Sequence, residues 1–486
     1  MADIVLTHSY VLQLDPKEFK ARMPYAPLGT LYAATLLQHH GYSVTLYDSM
    51  LASSESGLGT VLREHQPRVV VIYDDDFNYL TKMCLSRMRD SAFAMSRRAK
   101  EFGCTVVVHG SDPADHASEY LRNGADFVIR GEGEATLLEL INHLFQKNLI
   151  ERSQIHGIAY TDGESVRATH GRELMTDLDA LPFPDRTLTD VAAYRSLWKN
   201  CHGYFSMNMV TTRGCPFHCN WCAKPIYGQV YHSRSPENVV EEMLQLKRDF
   251  APDHLWFCDD IFGLKPGWIG NFSDLVRRKH AQIPFKCLSR ADLVVHEDTA
   301  KSLAAAGCEI VWIGAESGSQ KILDAMEKGT TVEQIYRASS LLRAHGLNVG
   351  FFLQYGYPGE TKQDIERTLA MVKDCRPDDI GISVSYPLPG TTFYDNVRHE
   401  LGDKQNWVDS QDLDPMYGGP FSRDFYRALH SVTHKKFRIW QGMEYMRESF
   451  FHPSRINARR LRRIAATGYH ALTLPRELSR MRASEG

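Results

Sequence analysis

The sequence predicts an α/β chain in three parts. These are an N-terminal doubly wound, Rossmann-like parallel sheet, a partial (β/α)6 barrel of TIM type, and a helical C-terminal segment. Three observations predict it. Short β-branched or apolar runs alternate with helical stretches over the first 145 residues, and the same alternation resumes at about residue 203. The last 80-odd residues read as helix without strands. Short buried strands alternating with helices imply parallel sheets covered on both faces.

In the first part the expected strands are Ile4–Thr7, Val44–Tyr47, Val69–Tyr73, Thr105–Val108 and Phe127–Ile129. Helices are expected at Leu28–His40, Ala92–Phe102 and Glu134–Phe145. A doubly wound sheet binds its ligand beyond the C-terminal strand ends. Those ends carry Asp74-Asp75-Asp76, His109-Gly110-Ser111 and Arg130-Gly131-Glu132-Gly133-Glu134. Residues 151–202 read as a connector, with a hairpin around Asp162-Gly163 and an extended Leu181-Pro182-Phe183-Pro184 stretch. From 203 to 400 six strands are expected: Met207–Thr211, His254–Cys258, Phe285–Leu288, Ile310–Gly314, Val349–Leu353 and Ile380–Tyr386. Helices between them include Glu237–Phe250, Asp298–Ala306, Val332–Ala344 and Lys362–Lys373. Six strand–helix units suit a partial barrel whose site lies at its C-terminal face. The domains expected are therefore 1–150, the connector 151–202, the barrel 203–400 and a helical segment 401–486.

Composition narrows the function classes. At roughly 150 residues per domain, 486 residues imply about three domains. A net charge of −3 does not suggest bulk nucleic-acid binding. Ten cysteines show no even disulfide framework, so a cytoplasmic setting is expected. The N-terminus has no basic, apolar leader pattern, and no run has the ~18 apolar residues of a membrane span. The C-terminal segment is basic through Arg455, Arg459, Arg460, Arg462, Arg463, Arg476, Arg480 and Arg482. It reads as a solvated helical cap or as a contact with an anionic, membrane-associated substrate.

The most informative feature is Cys215, Cys219 and Cys222 in the run Thr212-Arg213-Gly214-Cys215-Pro216-Phe217-His218-Cys219-Asn220-Trp221-Cys222. Three thiolates in this C-x3-C-x2-C spacing can hold three irons of a [4Fe–4S] cluster and leave the fourth open. The alternative is zinc, with His202, His218 or His232 as fourth ligand, although no second ligand pair follows. Inert buried thiols are a further alternative, but Gly214 and Pro216 make this a loop.

At this loop and the segments after it, the sequence resembles the radical S-adenosylmethionine (SAM) enzymes, in the branch with an N-terminal cobalamin-binding domain. The resemblance covers about residues 1–400. It implies that Cys215, Cys219 and Cys222 hold the cluster, with Trp221 at the aromatic position beside the last cysteine. It implies that the open iron chelates SAM and that one electron yields a 5′-deoxyadenosyl radical. That needs a strongly reducing cluster, and such clusters reach about −700 mV. The segment Phe257-Cys258-Asp259-Asp260 resembles the one facing the SAM amino group or the substrate, so Cys258, Asp259 and Asp260 become candidate catalytic residues. A turn-capping role is the alternative for the two aspartates. Arg290, in Ser289-Arg290-Ala291-Asp292, is placed for the SAM carboxylate or for a structural ion pair. Glu316 and Ser317, in Gly314-Ala315-Glu316-Ser317-Gly318, resemble the ribose-contacting motif. Tyr357, in Gln354-Tyr355-Gly356-Tyr357-Pro358-Gly359, resembles the adenine-flanking loop.

For the first domain the resemblance implies a cobalamin site built from Leu28, Gly29, His109, Gly110, Ser111, Arg130, Gly131, Glu132 and Gly133. The D-x-H-x-x-G signature of cobalt-ligating histidines is absent, which suits base-off binding without a histidine ligand or a domain that has lost the cofactor. Asp74-Asp75-Asp76 then reads either as a run facing cobalt or as a solvated turn. The resemblance implies a cofactor set of [4Fe–4S] cluster, SAM and cobalamin. The implied partners are a small-molecule substrate, lipid-like or tetrapyrrole-like, and an external one-electron reductant such as flavodoxin or ferredoxin, with peripheral membrane contact allowed. The implied reaction is methylation of an unactivated carbon. The alternatives are a non-methylating cyclisation or rearrangement, or a ligand or redox sensor without turnover.

Overall fold

The computed structural model describes residues 2–147, 150–451 and 458–485. The side chains of Tyr79, Lys82, Ala458 and Arg459 also lie outside the described set, as does Arg455 of the basic C-terminal series. The chain divides into two compact units. The first comprises Met1–Phe217, Ala223–Phe285 and Asn406–Asp412. The second comprises His218–Cys222, Lys286–Gln405 and Leu413–Gly486.

The first unit is built on a seven-stranded sheet. Its strands are β1 (Ile4–Thr7), β2 (Val44–Tyr47), β3 (Val69–Tyr73), β4 (Thr105–His109), β5 (Phe127–Ile129), β6 (Ile158–Asp162) and β7 (Ser165–Ala168). They run in the order β2-β1-β3-β4-β5-β6-β7. The first five are parallel, as continuous apolar runs predict. The period of two sorts their side chains between the faces. Val69, Val71 and Tyr73 pack under the helices Leu28–His39 and Glu134–Leu144. Val70 and Ile72 pack against Leu62, Met95 and Ala99 on the other face. The order reverses at β1 and β3, the switch point where doubly wound sheets take their ligand.

The hairpin near Asp162-Gly163 is not only a connector. Its strand β6 pairs antiparallel with β5 and extends the sheet. Ile158, Ala159 and Tyr160 are all buried, so this strand covers the edge that β5 would otherwise expose.

A second sheet contains β8 (Ser206–Met209), β11 (His254–Phe257), β12 (Phe285–Ser289), β13 (Cys308–Glu316), β14 (Asn348–Tyr355) and β15 (Asp379–Val384). Its order, β15-β14-β13-β12-β11-β8, follows the chain, as the partial (β/α)6 barrel requires. The pair β9 (Thr212–Arg213) and β10 (His232–Ser233) forms a short antiparallel ladder beside the cysteine loop. The helices Glu297–Ala306, Val332–Ala344 and Lys362–Cys375 agree with expectation to within two residues. The helix Trp268–Arg278 was not expected. The C-terminal part is two long helices, Arg423–Phe451 and Ala458–Ala483. Among the described residues no helix is long and apolar enough to cross a membrane.

Candidate active site

In the first unit the approach to the cysteine loop is fixed by one carboxylate. Asp259 is buried at the end of β11, and its oxygens accept from the amides and hydroxyls of both Thr211 and Thr212, at 2.6–2.9 Å. Burial pushes its pKa up to about 6, against those four hydrogen bonds. Its oxygens are therefore engaged by the strand that leads to Cys215, which is the turn-capping alternative. Asp260 beside it is exposed. Cys258 is buried among Leu28, Tyr32, Phe77 and Tyr227, and its thiol donates to Met209 O at 3.0 Å. Burial raises its pKa well above the usual thiol value, so it stays protonated.

Arg213 follows, fully inside the first unit. Its guanidinium pairs with Glu132 and, at 2.5 Å, with Glu134, and Tyr32, Phe77 and Tyr227 surround it within 6 Å. The last turn before Cys215 is thus tied to the C-terminal edge of the N-terminal sheet. Gly214 then turns with φ +77°, and a Cβ there would lie 2.3 Å from Val230 O. Only glycine serves at this position.

In the second unit Asn220 pins the Cys219–Cys222 turn. Its amide donates to Met326 O, its side chain donates to Ala325 O and accepts from the Tyr357 hydroxyl, and its carbonyl accepts from Phe393 N. Tyr357 therefore contacts the cysteine turn. Arg290, buried, places one guanidinium nitrogen 3.8 Å from Cys219 Sγ and donates to Lys328 O at 2.8 Å. It also pairs with Asp292 at 3.1 Å, the structural ion pair foreseen as its alternative.

Glu316 ends β13 in the left-handed region, φ +55°, where a side chain other than glycine is uncommon. Its carboxylate accepts from Lys328 Nζ at 2.7 Å, with both groups buried. Burial works against the ammonium, but Glu316 and Cys219 outweigh it and hold the Lys328 pKa above the ordinary value. Lys328 also lies 5.9 Å over the Trp221 ring. Ser317 instead turns to the helix Lys362–Cys375, 3.2 Å from Thr368 Oγ1.

The C-terminal edge of the first sheet concentrates buried polar groups. Asp74 accepts from Ser9 N, and Asp75 accepts from Gly29 N at the start of the helix Leu28–His39. All three aspartates are buried, which overturns the solvated-turn alternative. Burial, then Glu134 and the neighbouring aspartates, push the Asp76 carboxyl far above its usual range. His109 stacks on Tyr73 at 4.0 Å and its Nε2 bonds Gly131 O. Burial lowers its pKa to about 4, so the ring is neutral. A Cβ on Gly133 would lie 2.5 Å from Tyr73 Oη and 2.7 Å from His109 Nε2, and one on Gly110 would lie 2.9 Å from Asp74 Cβ. Arg130 is exposed, and Gly131 has open space around it.

The expected cofactors are tested by what these residues leave over. Cys215, Cys219 and Cys222 form no disulfide, and three donors with cationic Arg290 and Lys328 beside Cys219 suit an anionic cluster with one open iron. Among the described residues no three His, Cys, Asp or Glu side chains gather tightly enough for a single ion. The fit therefore rests on the kind and number of donors. Trp221 Nε1 and Thr330 Oγ1 are buried in the second unit without hydrogen-bond partners, which suits a polar ligand. In the first unit Ser9 Oγ, Tyr73 Oη, both Asp76 oxygens, His109 Nδ1 and Ser111 Oγ are buried without a hydrogen bond, His109 Nδ1 and Asp76 Oδ2 facing each other at 3.6 Å. Native interiors rarely leave such groups unsatisfied. Six such atoms along one sheet edge suit a ligand rich in amides and hydroxyls, as cobalamin is.

Spacing and the resemblance did not find Arg213, Asn220 or Lys328. Arg213 adjoins the cysteine run and had a visible signal, because an arginine before a glycine turn needs a carboxylate partner if buried. Asn220 and Lys328 carry no spacing signal, and only the folded chain places them.

Residues 209–372 match the radical SAM superfamily. An uncharacterised methyltransferase of Pyrococcus horikoshii is 27% identical over 398 residues, covering 80% of this chain and 82% of that protein. The anaerobic magnesium-protoporphyrin IX monomethyl ester cyclase of Cereibacter sphaeroides is 26% identical, covering 57% of this chain and 45% of the cyclase. The solved structure of the radical SAM methyltransferase TsrM from Kitasatospora setae, with cobalamin and a [4Fe–4S] cluster bound, superposes with a TM-score of 0.66. That match has 19% identity and covers 82% of this chain and 75% of TsrM. Residues 209–372 are thus similar to the radical SAM superfamily, and the chain, a doubly wound sheet followed by a partial barrel, shares the fold of TsrM.

Proposed function

We propose that this enzyme is a cobalamin-dependent radical SAM methyltransferase acting on an unactivated carbon of a small molecule. The observation that carries the reading is the row of buried groups without a hydrogen bond at the C-terminal edge of the first sheet: Tyr73 Oη, Asp76, His109 Nδ1 and Ser111 Oγ. The methyltransferase named among its relatives supports the same reading.

The bound groups supply reductive cleavage of SAM at the cluster and a transferable methyl group on cobalt. The protein's own part is positioning and electrostatics. Cys215, Cys219 and Cys222 hold three irons, with Asp259 and Asn220 fixing the two ends of their loop. Arg290 and Lys328 supply positive charge beside Cys219, which lowers the cost of adding an electron to an anionic cluster. Glu316, held by Lys328, accepts hydroxyls of the SAM ribose. Trp221 Nε1 donates to the bound nucleoside. Tyr73, Asp76, His109 and Ser111 hydrogen-bond the corrin periphery. Neutral His109 donates its Nε2–H to Gly131 O and so offers Nδ1 as an acceptor, and protonated Asp76 offers a donor.

A second reading, oxidative cyclisation on a tetrapyrrole-like substrate, is favoured by the similarity to the cyclase. Ten cysteines without a disulfide among them suit a reducing cytoplasm, where flavodoxin or ferredoxin supplies the electron. The test is cobalt per chain after anaerobic purification with cobalamin supplied, followed by turnover with methyl-labelled SAM. Near one cobalt per chain and label in the product are expected. Bound cobalt with an unlabelled product selects the cyclase reading, and absence of cobalt rejects both.

A further inference from the structure

In the second unit, the sheet face that carries Glu316 is open where a parallel sheet is ordinarily covered. Side chains alternate between the two faces of a strand. Tyr355 and Val384 pack under Ile365 and Leu369 of the helix Lys362–Cys375. On the opposite face Phe352 is 38% exposed and Trp312 is half-buried. Yet Phe352 lies on β14, which pairs in parallel with both β13 and β15. Parallel strands are stable when both faces are covered, so an open aromatic face asks for a ligand.

Three glycines shape this face. In the register of β13, β14 and β15, Trp312 stands beside Gly350, and Phe352 stands between Gly314 and Gly381. A Cβ on Gly350 would run into Trp312 Cδ2, and one on Gly381 would lie 3.1 Å from Phe352 Cδ1. Each ring thus takes the space that a side chain on the next strand would need. The two rings stack on each other, with centroids 4.8 Å apart and planes 29° apart. A Cβ on Gly314 would lie 2.7 Å from both Glu316 Oε1 and Lys328 Nζ, so that ion pair covers the third glycine. Phe352 is one strand spacing from Gly314, about 4.8 Å.

The result is a flat apolar wall continuous with the Glu316–Lys328 pair. Branched aliphatic side chains would offer ridges and grooves, which suit an alkyl chain. Rings laid across glycines offer a plane, and a plane rewards a partner that stacks.

We propose that Trp312 and Phe352 form the wall on which the substrate stacks, and that the substrate is a planar, conjugated ring system. This rests on the reading of Glu316 as a contact of the SAM ribose, which puts the wall beside the reacting group. The two rings set the plane of the substrate and take no part in the chemistry.

The test is equilibrium dialysis of protoporphyrin IX against the full-length, cluster-reconstituted chain supplied with cobalamin, so that the first sheet's own site is filled. The wild type is expected to bind it. F352L, which keeps an apolar side chain but no ring, should weaken binding about three- to tenfold, and W312L/F352L more. Palmitate, apolar but not planar, should bind more weakly and without regard to F352L. Iron content and helical circular dichroism should stay unchanged in F352L, because that side chain is part-exposed. No binding by the wild type, or binding that F352L and W312L/F352L leave unaltered, overturns the proposal. Palmitate bound as tightly and weakened equally by F352L overturns it in favour of an alkyl substrate. Cobalt per chain, read on the same samples, reports separately on the methyltransferase reading. Porphyrin binding that F352L weakens in a chain without cobalt supports the wall and rejects that reading alone.

Discussion

Lys328 Nζ lies 2.7 Å from Glu316 Oε1 in the interior of the second unit, while its own carbonyl accepts from Arg290, whose guanidinium is 3.8 Å from Cys219 Sγ. Cys219 of the C-x3-C-x2-C run, the carboxylate proposed to meet the SAM ribose and two cations therefore form one connected group. Breaking a buried pair strands its partner, at a cost of about 3–5 kcal/mol. K328M should lose about that much stability in denaturant unfolding and slow SAM cleavage. K328M/E316Q should regain most of the stability but not the cleavage rate. Recovery of both would make the pair purely structural.

Asn220 should govern cluster retention. N220A removes the bonds to Ala325 O and Tyr357 that hold the Cys219–Cys222 turn, and iron per chain after reconstitution is expected to fall. Y357F removes only one of those bonds, worth about 1 kcal/mol, and should keep its iron. Equal iron in N220A and the wild type would show that the thiols need no such support.

Arg213 is the only described cation bonded to both Glu132 and Glu134. R213M should cost about 3–5 kcal/mol by leaving two buried carboxylates without it. R213M/E132Q/E134Q should recover much of that loss. Guanidinium unfolding of the three proteins reads this directly, and an R213M variant as stable as wild type would contradict the assignment.

The aspartate run sets a pH dependence. Burial raises the Asp74 carboxyl from 3.8 to about 6. A carboxyl raised on folding costs stability as pH rises from the unfolded to the folded value, and the full cost applies above the latter. D74N keeps an acceptor for Ser9 N, so it should be more stable than wild type at pH 8 by about 1–3 kcal/mol. The two should converge near pH 4. His109, lowered by burial to about 4, acts with the opposite sign as pH falls through 6.5, equally in both proteins. A D74N variant no more stable at pH 8 would contradict the raised value.

The strands were readable because buried parallel strands are apolar runs, and Ile4–Thr7, Val44–Tyr47 and Val69–Tyr73 stand where those runs do. The hairpin after Ile158 was read as a connector because edge pairing depends on a neighbour the local sequence does not name. In the site, cysteine spacing is a local property and was visible. What Asp259 touches is not, since its partners Thr211 and Thr212 lie some 48 residues away and claim both its oxygens. Ser317 was placed toward ribose by motif order, yet the close approach of Gly318 to Arg367 O turns it to a helix. Lys328 stood unnoticed because a lysine beyond a helix ordinarily faces solvent, and only the fold buries it against Glu316.

The central claim is that Cys215, Cys219 and Cys222 hold a cluster that cleaves SAM. The direct measurement is 5′-deoxyadenosine formed from SAM by the anaerobically reconstituted, chemically reduced chain, beside C219A. The account predicts 5′-deoxyadenosine from the wild type and none from C219A, with iron per chain reduced in the variant. Equal yields from both, or none from a wild type carrying a full iron complement, would contradict it.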